Sequence, residues 1–175
     1  MKNLTVRAAT EADLPTIVRI TNVAIRTGHA HFATRPWEVE DGERSFAARD
    51  SRHPWLVAEQ DDGEVIGYCK ASPWKERGAY TWTAEVGVYV DFRARGQGVG
   101  RKLYERLIPA LEANGVRTVL AGIALPNWAS VALHEALGFK EAGLLPRVGF
   151  KDGAWRDVGY WVMHLGGDGP PDQPF

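Results

Sequence analysis

Little in the chain suits it to an oxidising compartment, a membrane or a polyanion. Its 175 residues contain one cysteine, Cys69, so no intrachain disulfide can form, and a lone thiol fits a reducing cytoplasm. Cys69 lies between Tyr68 and Lys70, with nothing near it in sequence to activate a thiolate. No apolar run approaches the ~18 residues of a membrane span, and Met1-Lys2-Asn3-Leu4 lacks the apolar core of a signal peptide. Charge of one sign is also missing. Lys plus Arg is 21 and Asp plus Glu 22, a net charge of −1, which provides neither a basic field for nucleic acid nor a polybasic membrane patch. His29-x-His31 offers two metal ligands without a third, so no metal is expected. There are no internal repeats. Aromatic residues are present instead, 10% of the chain with seven Trp, which speaks for an ordered core. A chain of this size buries roughly 70% of its unfolded surface. One domain over residues 1–165 is expected, with a disordered Gly- and Pro-rich tail at 166–175.

The periodicities predict the element order β-α-α-β-β-β-α-β-α-β-β, a mixed α/β (α+β) sheet layered by helices. Leu4 to Ala8 alternates as a strand. Thr10-Glu11-Ala12-Asp13 is a variant capping box, and Leu14, Ile17, Val18, Thr21 and Ile25 then recur at helical spacing up to Gly28. A weaker helix is predicted at 38–50. Strands 55–59 and 65–71 flank an Asp61-Asp62-Gly63 turn. Residues 80–90 alternate, with Trp82, Ala84, Val86, Val88 and Val90 on one face and Thr81, Thr83, Glu85, Gly87 and Tyr89 on the other. A helix from Gly98 carries the apolar stripe Val99, Leu103, Leu107 and Leu111. Pro109 should kink it, and Asn114-Gly115 ends it. A strand at 116–123, a helix at 127–137 and strands near 139–148 and 154–164 complete the order.

Chemistry concentrates where the strand 80–90 runs into Arg93-Ala94-Arg95-Gly96-Gln97-Gly98-Val99-Gly100-Arg101. A glycine loop at a helix N-terminus turns free N–H groups and the positive end of the helix dipole toward a phosphate. Arg93, Arg95 and Arg101 add side-chain charge. Gly96-x-Gly98-x-Gly100 lacks the final spacing of a dinucleotide fingerprint, and the Gly-Lys-Ser/Thr of a Walker loop is absent. A glycine-rich helix entry with solvated arginines is the plainer alternative.

Arg95-x-x-Gly98-x-Gly100 resembles the Gln/Arg-x-x-Gly-x-Gly/Ala loop of the GCN5-related N-acetyltransferases, which holds the pyrophosphate of coenzyme A. Asn127-x-x-Ser130-x-x-x-His134 puts three polar residues on one helix stripe. In that family an Asn at this helix start contacts the pantetheine arm, and a Tyr often stands where His134 is. Pro54-Trp55-Leu56-Val57-Ala58-Glu59, Ser72-Pro73-Trp74-Lys75, Ala79-Tyr80-Thr81-Trp82-Thr83-Ala84-Glu85, Leu133-His134-Glu135-Ala136-Leu137-Gly138 and Gly149-Phe150-Lys151-x-Gly153-x-Trp155-x-Asp157-Val158-Gly159 resemble the phosphinothricin and methionine sulfoximine acetyltransferases of that superfamily. Relatives often carry Ser or Thr at positions 86 and 87, where this chain has Val86 and Gly87.

The resemblance implies a sheet splayed at the strand carrying Glu85, with acetyl-CoA in the splay. It implies Glu85 as general base, and His134 as a second base or a positioner of the amine or leaving thiolate. Val88 and Val90 would offer backbone to the pantetheine and Tyr89 would line the pocket. Arg93, Arg95, Gly96, Gln97, Gly98, Val99, Gly100 and Arg101 would hold the pyrophosphate, with Asn127 and Ser130 beside the cofactor arm. Lys75, Arg77, Tyr80 and Phe32 are the implied substrate contacts. Bland alternatives stand beside these roles: an exposed strand Glu, a structural His, a solvated basic loop, a Phe plugging the core. A homodimer is implied, to which Trp155 and Trp161 would contribute. Another amine substrate, a non-catalytic acetyl-CoA sensor and a nucleic-acid binder are the competing functions, the last disfavoured by the charge balance.

Overall fold

The computed structural model describes residues 3–167 and 169. Of the expected tail, positions 168 and 170–175 lie outside the described residues. Eleven main elements follow the predicted order: β1 (Leu4–Ala8), α1 (Leu14–Thr27), α2 (Val39–Ala47), β2 (Trp55–Gln60), β3 (Val65–Pro73), β4 (Thr83–Val90), α3 (Val99–Ala113), β5 (Thr118–Ala124), α4 (Trp128–Ala136), β6 (Lys140–Lys151) and β7 (Ala154–His164). The strands form one sheet in the order β1-β2-β3-β4-β5-β7-β6. Its neighbours pair antiparallel except β4 and β5, which run parallel. That pair needs a crossover, and α3 supplies it.

Local chemistry explains the boundaries. The Asp13 carboxylate reaches back to the Thr10 N–H at 2.8 Å and also takes Arg7, so the start of α1 is tied to β1. The tight β6–β7 turn has Asp152 at φ 51° and Gly153 at φ 72°, the left-handed pair that a two-residue hairpin requires. β4 begins later than the alternation predicts. Gly78–Tyr80 forms a 3-10 turn, and the Trp82 carbonyl accepts the Arg117 and Thr118 N–H groups rather than continuing the strand. α3 runs from Val99 to Ala113 through Pro109. Pro109 lies on the exposed side, where the carbonyl it cannot bond is open to water.

Each sheet face has its own core. Leu103, Leu107 and Leu111 of α3 pack with Leu56, Cys69, Ala71, Ala84, Val86, Val119, Ala121 and Ile123. On the opposite face Leu14, Ile17 and Ile20 of α1 and Phe46 of α2 cover Trp55, Val57, Val65 and Tyr68. Trp161, expected at an interface, is 4% exposed in the α3-side core, and its Nε1–H points at Glu135 (3.2 Å). Trp155 is 53% exposed. Alternation along β4 sends Ala84 and Val86 toward α3, and Glu85, Gly87 and Tyr89 toward α1.

Candidate active site

β4 and β5 pair only over Thr83–Glu85 and Thr118–Leu120. Beyond Glu85 they separate, while β3 stays bonded to β4 as far as Val90 and β7 to β5 as far as Ala124. One edge of residues 86–90 is therefore left without a strand partner. A cleft of ≈ 480 Å³ opens in this splay. Val86 to Val90 form one wall and Ala121 to Ala124 the other, with Arg95, Gly96, Gly98, Val99, Gly100 and Arg101 at one end and Asn127, Ser130 and His134 of α4 alongside.

The end of the cleft has the geometry of an anion cradle. Gly96 and Gly98 have φ of 74° and 77°, conformations that cost an L side chain about 1–2 kcal/mol. They curl the chain so that α3 starts on the cleft. No side chain caps it, and the first intrahelical bond runs from Lys102 N–H to the Gly98 carbonyl at 3.0 Å. The N–H groups of the preceding residues are free for a phosphate. Gly100 sits under Leu133 of α4, where a Cβ would come within 3.1 Å. These features fit a long pyrophosphate-bearing thioester: an unpaired strand edge for amides, apolar walls, and a cradle for the phosphates.

Several predicted cofactor residues have other partners, Arg101 among them through Glu105 at 2.8 Å. Arg93 is held by Asp91 and Glu64, and Asp91 also binds Arg19, which anchors the loop behind the cradle. The Gln97 side chain donates to the Arg93 carbonyl at 3.1 Å. Neither Arg93 nor Gln97 lines the cleft. Asn127 caps α4 by accepting the Ser130 N–H (3.2 Å).

Glu85 and His134 do not meet. Glu85 lies on the α1 side, its Oε1 only 3.0 Å from where a Cβ on Gly122 would stand. Its carboxylate accepts no hydrogen bond among the described residues. Burial pushes its pKa up, and the Lys70 ammonium pulls it partly back. Tyr89 and Tyr160 are nearby, both with pKa raised by burial and then by the Glu85 charge, Tyr89 to about 12. His134 lies on the α3 side, 3% exposed, with its ring against Tyr104 and Phe139. Its Nδ1 is 2.7 Å from the Ser130 carbonyl, so Nδ1 carries the proton. Nε2 then accepts from the Tyr104 hydroxyl at 3.2 Å. Burial lowers the His134 pKa despite the Ser130 bond, which keeps the ring neutral at pH 7.

The implied substrate residues are dispersed. Phe32 packs on Gly149, which has no room for a Cβ beneath the ring. Lys75 lies 4.4 Å from the Trp74 ring and 5.5 Å from the Tyr80 ring. Trp74 and Tyr80 meet edge-to-face. Lys75 and Arg77 are exposed, away from the cleft lining. His29 Nε2 lies 2.9 Å from the Pro126 carbonyl, and His31 Nδ1 accepts from the Ala33 N–H, so each ring has a bond of its own. Sequence reasoning missed Tyr104, Lys70 and Lys151. The Lys151 ammonium, 5% exposed, donates to the carbonyls of Ile25, Gly28 and His31 at 2.6, 2.8 and 2.7 Å and so fixes the loop over the site. Their partners are distant in sequence, and no local signal announces them.

With this geometry in place, comparison with known proteins is decisive. The family model described as Acetyltransferase (GNAT) family matches residues 22–139. The chain belongs to the GNAT acetyltransferase family. As a GNAT enzyme it is an N-acetyltransferase that uses acetyl-CoA. It is 42% identical to the phosphinothricin N-acetyltransferase of Streptomyces viridochromogenes over 95% of this chain and 90% of the relative. It is 36% identical to an L-methionine sulfoximine/L-methionine sulfone acetyltransferase of Pseudomonas paraeruginosa, over 91% and 94%. The crystal structure of a GNAT superfamily phosphinothricin acetyltransferase from Sinorhizobium meliloti in complex with acetyl-CoA superposes with a TM-score of 0.89 at 35% identity, covering 93% of this chain and 89% of that one. No helix among the described residues is long and apolar enough to cross a membrane.

Proposed function

We propose that the protein acetylates the primary amine of a small amino-acid-like substrate such as phosphinothricin (glufosinate) or methionine sulfoximine. The observation that carries this reading is Glu85, a half-buried carboxylate without a hydrogen-bond donor among the described residues, at the point where β4 and β5 part. Bound acetyl-CoA would supply an activated thioester for direct attack by the amine. The α3 N-terminus with Arg95 and Arg101 would hold its phosphates, and the unpaired edge of Val88–Val90 would bond its amide arm. Glu85 would take the amine proton, directly or through water. The raised pKa brings it closer to the working pH, which suits a general base. His134 has its Nε2 engaged by the Tyr104 hydroxyl, so its part would be to position the groups beside it at the cleft rather than to take the amine proton. Cys69 is buried with its pKa pushed above the ordinary thiol range, which argues against a covalent cysteine route.

Two further readings accompany this one. A homodimer is supported by the β6–β7 hairpin, which exposes Leu144, Leu145, Val148, Phe150 and Trp155 together. A cytoplasmic setting is supported by the single buried thiol. The test of function is release of CoA thiol from acetyl-CoA with phosphinothricin, methionine sulfoximine and a panel of ordinary amines. Fast turnover on either of the first two, lost in Glu85→Ala with acetyl-CoA binding intact, is expected. Turnover only on an unrelated amine would sink the substrate assignment. Tight acetyl-CoA binding without turnover on any amine would replace the enzyme with a sensor.

A further inference from the structure

Lys70 is a cation without an assigned task. Register sets it opposite Gly87, on the face that carries Glu85 and Tyr89. Its ammonium stands 5.0 Å from the Trp55 ring and 5.6 Å from the Trp37 ring. No carboxylate comes within ion-pair distance and no acceptor bonds it among the described residues. Across from it, a Cβ on Gly87 would meet only the Tyr89 ring, at 3.6 Å. The space above residue 87 is therefore open to the cleft that Gly87 lines. The other basic groups nearby are accounted for. His31, 5.4 Å from Trp37 and 5.7 Å from Tyr89, is held neutral by burial, its pKa down at about 4. Lys151 is committed to three carbonyls. Among the described residues Lys70 is thus a cation without a bonded partner on the sheet face that carries Glu85, next to Gly87 of the cleft lining.

We infer that Lys70 binds the α-carboxylate of the amine substrate and so makes α-amino acids the preferred class. The inference rests on the acetyl-transfer reading above. Lys70 and Glu85 are diagonal neighbours on adjacent strands, positions whose backbones stand roughly 7–8 Å apart. An α-amino acid carries its amine and carboxylate one carbon apart, short enough to lie between the two heads with the nitrogen at Glu85. A partly dehydrated ammonium lacking a counter-ion bonds an incoming carboxylate more strongly than a solvated surface lysine does. Its charge beside the nitrogen also disfavours the protonated amine, the form that cannot attack. Lys75 and Arg77, exposed on the neighbouring loop, are left for the far end of a longer substrate.

The test compares the better of phosphinothricin and methionine sulfoximine with its decarboxylated amine, for wild type, Lys70→Met and Lys70→Arg. Melting temperature and acetyl-CoA affinity are measured alongside. A lost charge-assisted hydrogen bond corresponds to roughly a 10- to 100-fold change. Lys70→Met should raise KM for the amino acid by that factor, on top of any change it shares with the decarboxylated amine, whose own KM should rise far less. Lys70→Arg should recover most of the loss. Wild type should prefer the amino acid by a similar factor. Equal losses on both substrates, or none on either, would overturn the inference while leaving acetyl transfer intact. Should Lys70→Met fail to fold, the wild-type preference and Lys70→Arg decide, and a wild type indifferent to the carboxylate overturns it. Wild type inactive on every amine removes the acetyl-transfer reading and this inference with it.

Discussion

Replacing Glu85 with Gln keeps the shape of the side chain and removes its charge and its capacity as a base. Two consequences of opposite sign follow from where the residue sits. A positioned general base contributes about 10²–10⁴-fold to rate, equivalent to about 3–5 kcal/mol of barrier, and kcat for the preferred amine should fall by that factor. Stability should move the other way. Burial raises the folded-state pKa of Glu85, with Lys70 offsetting only part. A raised folded pKa means the group's stabilising contribution is complete below its unfolded value and is lost as pH rises through the folded value. At pH 7 the wild type therefore retains an uncompensated cost of desolvating the carboxylate. Glu85→Gln should melt higher than wild type at pH 7, with the gap closing near pH 4. Thiol-release kinetics between pH 5 and 9 and thermal melts at both pH values read the two effects. The acidic limb of wild-type kcat/KM, set by Glu85, should disappear in the variant. Activity within about tenfold of wild type, or an unchanged acidic limb, would refute the assignment of the base. A variant that melts lower at pH 7 would refute the account of its burial.

Lys151→Met leaves three loop carbonyls without their donor and should destabilise the protein by about 2–5 kcal/mol, seen as a lower urea midpoint, with KM for the amine rising as the 28–36 loop loosens. Gly98→Ala puts a side chain at φ 77° and should cost about 1–2 kcal/mol; calorimetry should show weaker CoA binding even where the variant folds. Leu145→Asp, placed in the exposed apolar hairpin, should shift the protein from dimer to monomer in light scattering, and an unchanged mass would remove that face as the interface.

The parts of the molecule legible in its sequence are those written in short-range patterns. Leu14, Ile17 and Val18 mark α1 because a helix repeats its buried face every three or four residues. Glu85 is assigned to the opposite face from Val86 by alternation alone. Gly96 and Gly98 mark the cradle because their left-handed geometry and their spacing are local properties. Longer-range partnerships carry no such mark. Arg93 reads as one more phosphate ligand until Glu64 and Asp91 are seen to hold it. Trp161 reads as an interface residue, but β7 lies between β5 and β6 and turns it into the core. Glu85 and His134 read as partners, yet they project from opposite sides of the sheet. Lys70 shows its isolation only once Trp37, Trp55 and Gly87 surround it.

The central claim is direct acetyl transfer in the β4–β5 cleft to an amino-acid amine. Mass spectrometry of a reaction with deuterium-labelled acetyl-CoA and phosphinothricin or methionine sulfoximine tests it most directly. The account predicts the full label on the amino nitrogen of the small molecule, formed catalytically by wild type and suppressed in Glu85→Gln, with the protein itself unlabelled. Label accumulating on the protein, or no labelled amino acid at all, would contradict it.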